Sequence, residues 1–228
     1  RQMLRNFRKP LVVMSPKSLL RHKLNTSTLQ EMGPGTHFWR VLGEVDELRP
    51  DDEIKRVVLC SGKVYYDLLE FRRENKIDEV AIVRIEQLYP WPRTGLAETL
   101  SVYPNAEIIW CQEEPANMGA WTYLIQRLEY ILMVIDKGKA EHRRPLYVGR
   151  PASASPATGS LGVHNREQAR LVSEALMVPA SDLAQPFQGA PGDRALPGSS
   201  AVPVKEKAAK KKEAGKKKSA LKKRPAAT

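Results

Sequence analysis

Cysteine, histidine and long apolar runs are all scarce in this chain, and each scarcity removes a class of protein. With two cysteines, Cys60 and Cys111, in 228 residues, a secreted disulfide scaffold is excluded, and each thiol reads as a small hydrophobe closing a buried strand in a reducing compartment. The four histidines, His22, His37, His142 and His164, are scattered and show no Cys/His ligand spacing, so no zinc site is expected. No apolar stretch is long enough to span a bilayer. The opening RQMLRNFRKP has neither the apolar centre nor the small-residue cleavage site of a signal peptide. Since the first residue is Arg, the chain reads as a fragment of a longer one.

Acidic residues are outnumbered by basic ones, giving a formal net charge of +11, which would suggest a nucleic-acid binder until the charge is located. Residues 205–224 hold eleven Lys/Arg and two Glu, a net of +9, leaving 11 − 9 = +2 for the remainder. The basic character therefore belongs to a tail. A hydrophobic content of 42% is ordinary for a globular core of one or two domains.

What is abundant is a repeated unit between residues 56 and 112: a short apolar run, a turn, then an amphipathic segment. The runs Val57-Val58-Leu59-Cys60, Val80-Ala81-Ile82-Val83 and Ile108-Ile109-Trp110-Cys111 do not alternate with polar residues. That pattern fits strands covered on both faces. Residues 64–75 place Val64, Leu68, Leu69 and Arg72 on adjoining turns, giving a sheet-facing side. Pro90 and Pro92 break the chain before a short crossover over residues 95–100. A third helix is expected from about Met118 through Leu124, Leu128 and Leu132, and a fourth strand at Leu146-Tyr147-Val148. The last helix opens near His164 and buries Leu171, Val172, Ala175 and Leu176. The expected fold class is α/β: an open, mostly parallel twisted sheet with helices on both faces.

Residues 1–8 read as a helix end, and Leu11 to Met14 as a strand stopped by Ser15-Pro16. Turn-forming and charged residues mark 23–53 as a linker, and 54–178 as the α/β domain. Beyond Val178 the apolar period disappears. Residues 179–204 are Pro/Ala/Gly/Ser-rich and read as a flexible linker, and 205–228 as a disordered Lys/Ala tail, with weak, salt-sensitive polyanion attraction as its functional alternative.

Four words carry a resemblance: CSGKVYYDL (60–68), VAIVRIEQLYPWP (80–92), WCQEEPANMGAW (110–121) and GRPASASPATG (149–159). In this order and spacing they resemble the C-terminal part of the E1 component of 2-oxoglutarate dehydrogenase, a thiamine-diphosphate-dependent, transketolase-like family. The likeness runs from RNFRKPLVVMSPKSLLRH (5–22) to about Val178. A 2-oxoadipate enzyme shares the first three words, but the RPASASP form at Arg150 to Pro156 tilts the substrate towards 2-oxoglutarate. The resemblance implies that residues 1–22 end a preceding pyrimidine-binding domain, and that one edge strand of the sheet runs antiparallel. It implies thiamine diphosphate and Mg2+ bound outside this fragment, so that no catalytic residue falls within it and the fragment alone is inactive. The implied partners are a second E1 chain in a homodimer and the E2 dihydrolipoyl succinyltransferase. Bacterial cytoplasm or the mitochondrial matrix fits such an enzyme. Against this stands a different class, a polyanion-binding protein acting through its tail.

Ser61-Gly62-Lys63 sits between a buried strand and a helix, where free backbone N–H groups and the Lys63 charge suit a phosphate. It is also the end of a parallel strand where open α/β sheets bind ligands. It lacks the glycines of a Walker loop, and such turns often serve only as connections. Family members that bind acetyl-CoA or adenine nucleotide effectors add Lys17 and Arg21 as candidates beside Ser61, Gly62 and Lys63. The pairs Arg84/Glu86 and Glu113/Glu114 read as charges just past strand ends. Adjacent carboxylates point apart there, favouring a structural role, either capping the Met118 helix or meeting arginines across a subunit interface. Trp121, with Trp91, Trp110 and Tyr89, reads as core or interface surface. The small, nearly uncharged run 149–159 reads as a docking loop ordered only against a partner.

Overall fold

A computed structural model describes residues 4–139 and 142–183. The elements are β1 (Val41–Leu42), β2 (Arg56–Cys60), α1 (Val64–Glu74), β3 (Val80–Ile85), α2 (Arg93–Ser101), β4 (Glu107–Pro115), α3 (Trp121–Ile135), β5 (Leu146–Arg150) and α4 (Leu161–Met177). They build one five-stranded sheet in the order β1-β3-β2-β4-β5. β1 runs antiparallel to β3, and the other neighbours are parallel.

Successive residues of a strand face opposite sides of the sheet, and here both sides are apolar. Val57, Leu59, Ala81, Val83, Ile108 and Trp110 join one core with Leu96 and Leu100 of α2 and Leu124, Leu128 and Leu132 of α3. Val58, Cys60, Val80, Ile82, Ile109 and Cys111 join the other with Val64, Leu68 and Leu69 of α1 and Leu171, Val172 and Leu176 of α4. This double burial explains the unbroken apolar runs. It also makes both cysteines free and fully buried, with thiols pushed well above their ordinary range by desolvation and hence inert.

Several expectations need correction. Residues 4–8 form no α-helix, and Leu11 to Met14 form no strand. Val12, Val13 and Met14 are exposed, because a lone strand has neither a ladder partner nor an apolar face to cover it. The segment read as a linker contributes β1. Arg84 lies inside β3, and Glu113 and Glu114 lie inside a nine-residue β4, which also puts Cys111 mid-strand. α3 begins at Trp121, three residues later than expected, because Gly119 takes φ +65° and the Gln112 amide binds the carbonyls of Glu114, Pro115 and Met118. α4 begins at Leu161 rather than His164. The linker and tail expected beyond residue 178 lie outside the described residues, save for residues 179–183, which contain a 3-10 turn, Ala180–Asp182.

The 23–53 segment is pinned by Arg72 of α1, whose side chain is 1% exposed. Its guanidinium binds both carboxylate oxygens of Glu44, Asp46 Oδ2 at 2.8 Å and the Val80 carbonyl at 3.0 Å. Glu44 also accepts the Ile82 N–H at 2.8 Å, serving the edge of β3 just past the end of β1. Burial raises the Glu44 carboxyl, yet the bonds from Arg72 and the backbone outweigh it and leave it lowered. Arg73 clasps Asp46 at 2.6 and 2.8 Å, and this pairing, with help from Arg72, holds Asp46 at about 2. A second lock closes the other end of the domain. Asp136, 1% exposed, takes the Arg143 guanidinium and backbone N–H, while Arg143 donates to the carbonyls of Tyr103 and Ala106. Burial raises Asp136, but Arg143 and Lys139 bring it to about 2.

Two outcomes follow for stability. Glu44→Ala leaves a buried guanidinium without its main partner and should cost about 3 kcal/mol in urea unfolding. The double replacement Arg72→Met with Glu44→Gln should cost clearly less than Glu44→Ala alone. Because the folded pKa values of Asp46 and Asp136 lie below the ordinary 3.8, their contribution is complete above that value and is lost as pH falls towards 2. Unfolding followed between pH 5 and 2 should show a decline that is reduced in Asp136→Asn, already weaker at neutral pH.

Candidate functional site

The chain leaving β2 enters α1 on one face of the sheet, whereas the chain leaving β4 enters α3 on the opposite face. Adjacent parallel strands whose connections diverge leave a crevice at their carboxyl ends, the usual ligand position in open α/β sheets. Ser61-Gly62-Lys63 lies there, with Gly62 at φ +76° making the tight exit from β2.

Lys63 is not a free cation. Its ammonium meets Asp67 Oδ2 at 2.9 Å and Glu113 Oε1 at 2.8 Å. Burial alone would lower its pKa, but these two carboxylates raise it. From there a polar circuit runs across the sheet edge. Gln168 Nε2 donates to Asp67 at 2.7 Å, and Arg150 Nη2 reaches Gln168 Oε1 at 3.4 Å. Arg150 Nη1 donates to the Glu113 carbonyl at 2.9 Å, returning the circuit to β4. Arg150 also pairs with Glu167 at 2.9 Å and with His164 Nδ1 at 2.9 Å. Since a guanidinium only donates, His164 Nδ1 is the acceptor and the ring proton sits on Nε2. Each charge is matched, so the set positions α1, β4, β5 and α4 relative to one another. Among the described residues no three of His, Cys, Asp or Glu converge on a metal position. The donor set does not fit thiamine diphosphate with Mg2+, and no cofactor step is assigned to these residues.

The other expected residues fall in different places. Lys17 and Arg21 lie exposed in a 3-10 turn, Lys17–Arg21, on a segment that rests on the α1/α4 face through Leu19 and Leu24. Its His22 ring lies 5.2 Å from the Tyr66 ring, and Tyr66 Oη donates to Asn25 at 2.7 Å. Arg84 binds Glu86 at 2.9 Å and lies 4.4 Å from the centre of the Tyr65 ring. Glu113 and Glu114 do point apart, Glu113 to Lys63 and Glu114 to solvent. Neither caps α3, since the buried Gln112 side chain accepts the Trp121 N–H at 3.0 Å. Trp121 is 3% exposed, in the core, with its ring 5.2 Å from that of Tyr147. The 149–159 loop has a support within its own chain, because Asn117 both donates to and accepts from the Ser153 backbone at 2.9 and 3.0 Å. Asp67, Gln112, Arg150, His164 and Gln168 escaped the sequence reading. Only the Lys63/Asp67 spacing of four on a helix offered a signal.

The family model for the 2-oxoglutarate dehydrogenase C-terminal region matches residues 26–176, a span that contains the whole circuit. The chain belongs to this family. Among curated relatives, the 2-oxoglutarate dehydrogenase E1 components of Brucella anthropi, Brucella ovis and Brucella abortus are each 50% identical over 184 residues, covering 77% of this chain. The chain spans 18% of the length of these relatives. Among solved structures, a split-gene transketolase in an inactive β4 tetramer is 14% identical, covering 64% of this chain and 45% of that one at a TM-score of 0.37.

A double-mutant cycle of Lys63→Met and Glu113→Gln, read by thermal or urea unfolding, should give a favourable coupling of about 1 kcal/mol for this partly buried pair. A coupling indistinguishable from zero would mean that the ammonium is not held by Glu113 in solution.

Proposed function

We propose that this chain acts as the C-terminal domain of the E1 component of a 2-oxoglutarate dehydrogenase complex. In that complex the parent enzyme decarboxylates 2-oxoglutarate and passes the succinyl unit to the lipoyl group of E2. The observation that carries this is the 50% identity to E1 components through nearly all of the folded region. When bound in the parent, thiamine diphosphate with Mg2+ supplies the carbanion chemistry, outside these residues. This chain contributes a rigid α/β body over residues 54–178, with residues 1–22 belonging to the preceding domain. Homodimer contacts with a second E1 are supported by the exposed apolar residues Val12, Val13, Met14, Phe38 and Trp39. Residues 179–204 then serve as a linker, and 205–228 as a basic accessory whose loss leaves turnover intact. A cytoplasmic setting suits such an enzyme, and no described helix is long and apolar enough to cross a membrane.

The regulatory part of the proposal concerns Ser61, Gly62 and Lys63, with Lys17 and Arg21 on the same side of the sheet as α1. An acetyl-CoA or adenine nucleotide effector would bring phosphate to Lys63 in competition with Asp67 and Glu113. Binding would therefore loosen the circuit that joins α1 to β4.

The test is replacement of the corresponding segment of a Brucella E1 by this chain's 184 matched residues. The chimera should assemble and retain most of its 2-oxoglutarate turnover and succinyl transfer. A folded, cofactor-loaded chimera without turnover would sink the assignment. The chain alone should give no calorimetric heat with thiamine diphosphate and Mg2+, and micromolar binding would move the cofactor site into it.

A further inference from the structure

A second cavity lies away from the Lys63 circuit, on the opposite face of the sheet. It is a cleft of about 810 Å³ between the segment entering β1, the connection after β3 and the first turn of α2, within the size range of small-ligand sites. One wall is aromatic. Phe38 and Trp39 are 64% and 59% exposed, and the His37 and Trp39 rings lie 4.5 Å apart. The segment bearing them is fixed rather than loose, because the Arg40 carbonyl accepts the N–H groups of both Glu86 and Gln87 and the Arg72 clamp holds Glu44 just beyond β1.

The other wall is a set of donors. Thr94 and Gly95 line the cleft in the first turn of α2, where backbone N–H groups have no intrahelical acceptor. The helix enters from Pro92 with no side-chain cap, so its positive end is not answered by the protein. Arg40 and Arg93 also line the cleft, against a single carboxylate, Glu98. Trp91 adds an independent sign of an absent acceptor, since its indole N–H is buried and meets no hydrogen-bond partner. Buried donors are rarely left so.

Aromatic faces on one side and unanswered donors on the other define a ligand with a planar ring and an anionic group. We propose that this cleft binds a small ring-bearing anion of the nucleoside monophosphate class, the ring stacking on Trp39 and the phosphate meeting the first turn of α2 and Arg93. The reading does not depend on the E1 assignment, and it is distinct from the effector position at Lys63. Stacking of a base on an exposed indole and charge-assisted contact to phosphate act together, so neither half alone should bind as well.

Tryptophan fluorescence of the 228-residue chain, titrated with adenosine 5′-monophosphate, adenosine and inorganic phosphate, tests this. Saturable quenching is expected with the monophosphate, at lower concentration than with either half. Trp39→Ala should weaken it by roughly tenfold and Arg93→Gln by about fivefold. Both side chains are exposed, and unchanged circular dichroism and melting will confirm intact folding. Lys63→Gln should leave the affinity as it was. Three results would overturn the proposal: no saturable binding at millimolar ligand, phosphate binding equally well with no effect of Trp39→Ala, or loss of binding in Lys63→Gln.

Discussion

A buried guanidinium organises this domain. Arg72 sits on the sheet-facing side of α1, where its neighbours in the helix are Leu68 and Leu69, and a charge in that position is tolerated only when fully paired. Its partners come from elsewhere in the chain: Glu44 and Asp46 from the segment before β2, and the Val80 carbonyl from β3. Meeting the demands of one side chain therefore orders a stretch that has no apolar period of its own. β1 follows from that, because once Glu44 is held against the Ile82 N–H the residues before it lie along the edge of β3. The aromatic wall formed by His37, Phe38 and Trp39 is carried by the same stretch.

The parallel strands were legible because both faces of each are covered, so their apolar runs stand out against turn residues in a way that half-exposed strands would not. Helix faces were legible for the same reason, down to Arg72 being placed with Leu68 and Leu69. What could not be read was where Arg72 finds its partners, since carboxylates 26 and 28 residues upstream lie among many other charges and nothing periodic marks them. β1 escaped for a related reason: two residues have no pattern, and its strand character is conferred by β3. Gln112 is the clearest case of a residue whose role exists only in three dimensions. One amide takes three carbonyls, the Trp110 indole N–H and the Trp121 N–H, and so decides where α3 starts. Local helix preference would have allowed an earlier start.

At the site, composition was legible but electrostatic state was not. Ser61-Gly62-Lys63 was placed correctly at the end of a buried strand, yet a lysine there reads as an available cation only while its surroundings are unknown. Glu113 was expected to look outwards to another subunit, and extension of β4 to Pro115 brings it instead beside Lys63. The circuit through Asp67, Gln168 and Arg150 then joins residues up to 105 positions apart in sequence, from 63 to 168. Such closure depends on the sheet order, which no local pattern encodes.

The two polar regions of this sheet thus differ in the quantity that decides ligand binding, the balance of donors and acceptors. Around Lys63 every described charge has an opposite within hydrogen-bonding distance, and any anion arriving there must displace a carboxylate already in place. Such competition weakens affinity but makes binding consequential, because the displaced groups belong to α1 and β4 and their release changes how those elements are tied. At the first turn of α2 the donors outnumber the acceptors. An anion there completes a set of hydrogen bonds and disrupts none, so it gains affinity without any requirement that the fold respond. The same physical argument therefore assigns a switching character to the matched circuit and a holding character to the unmatched cleft, whichever small anions each meets.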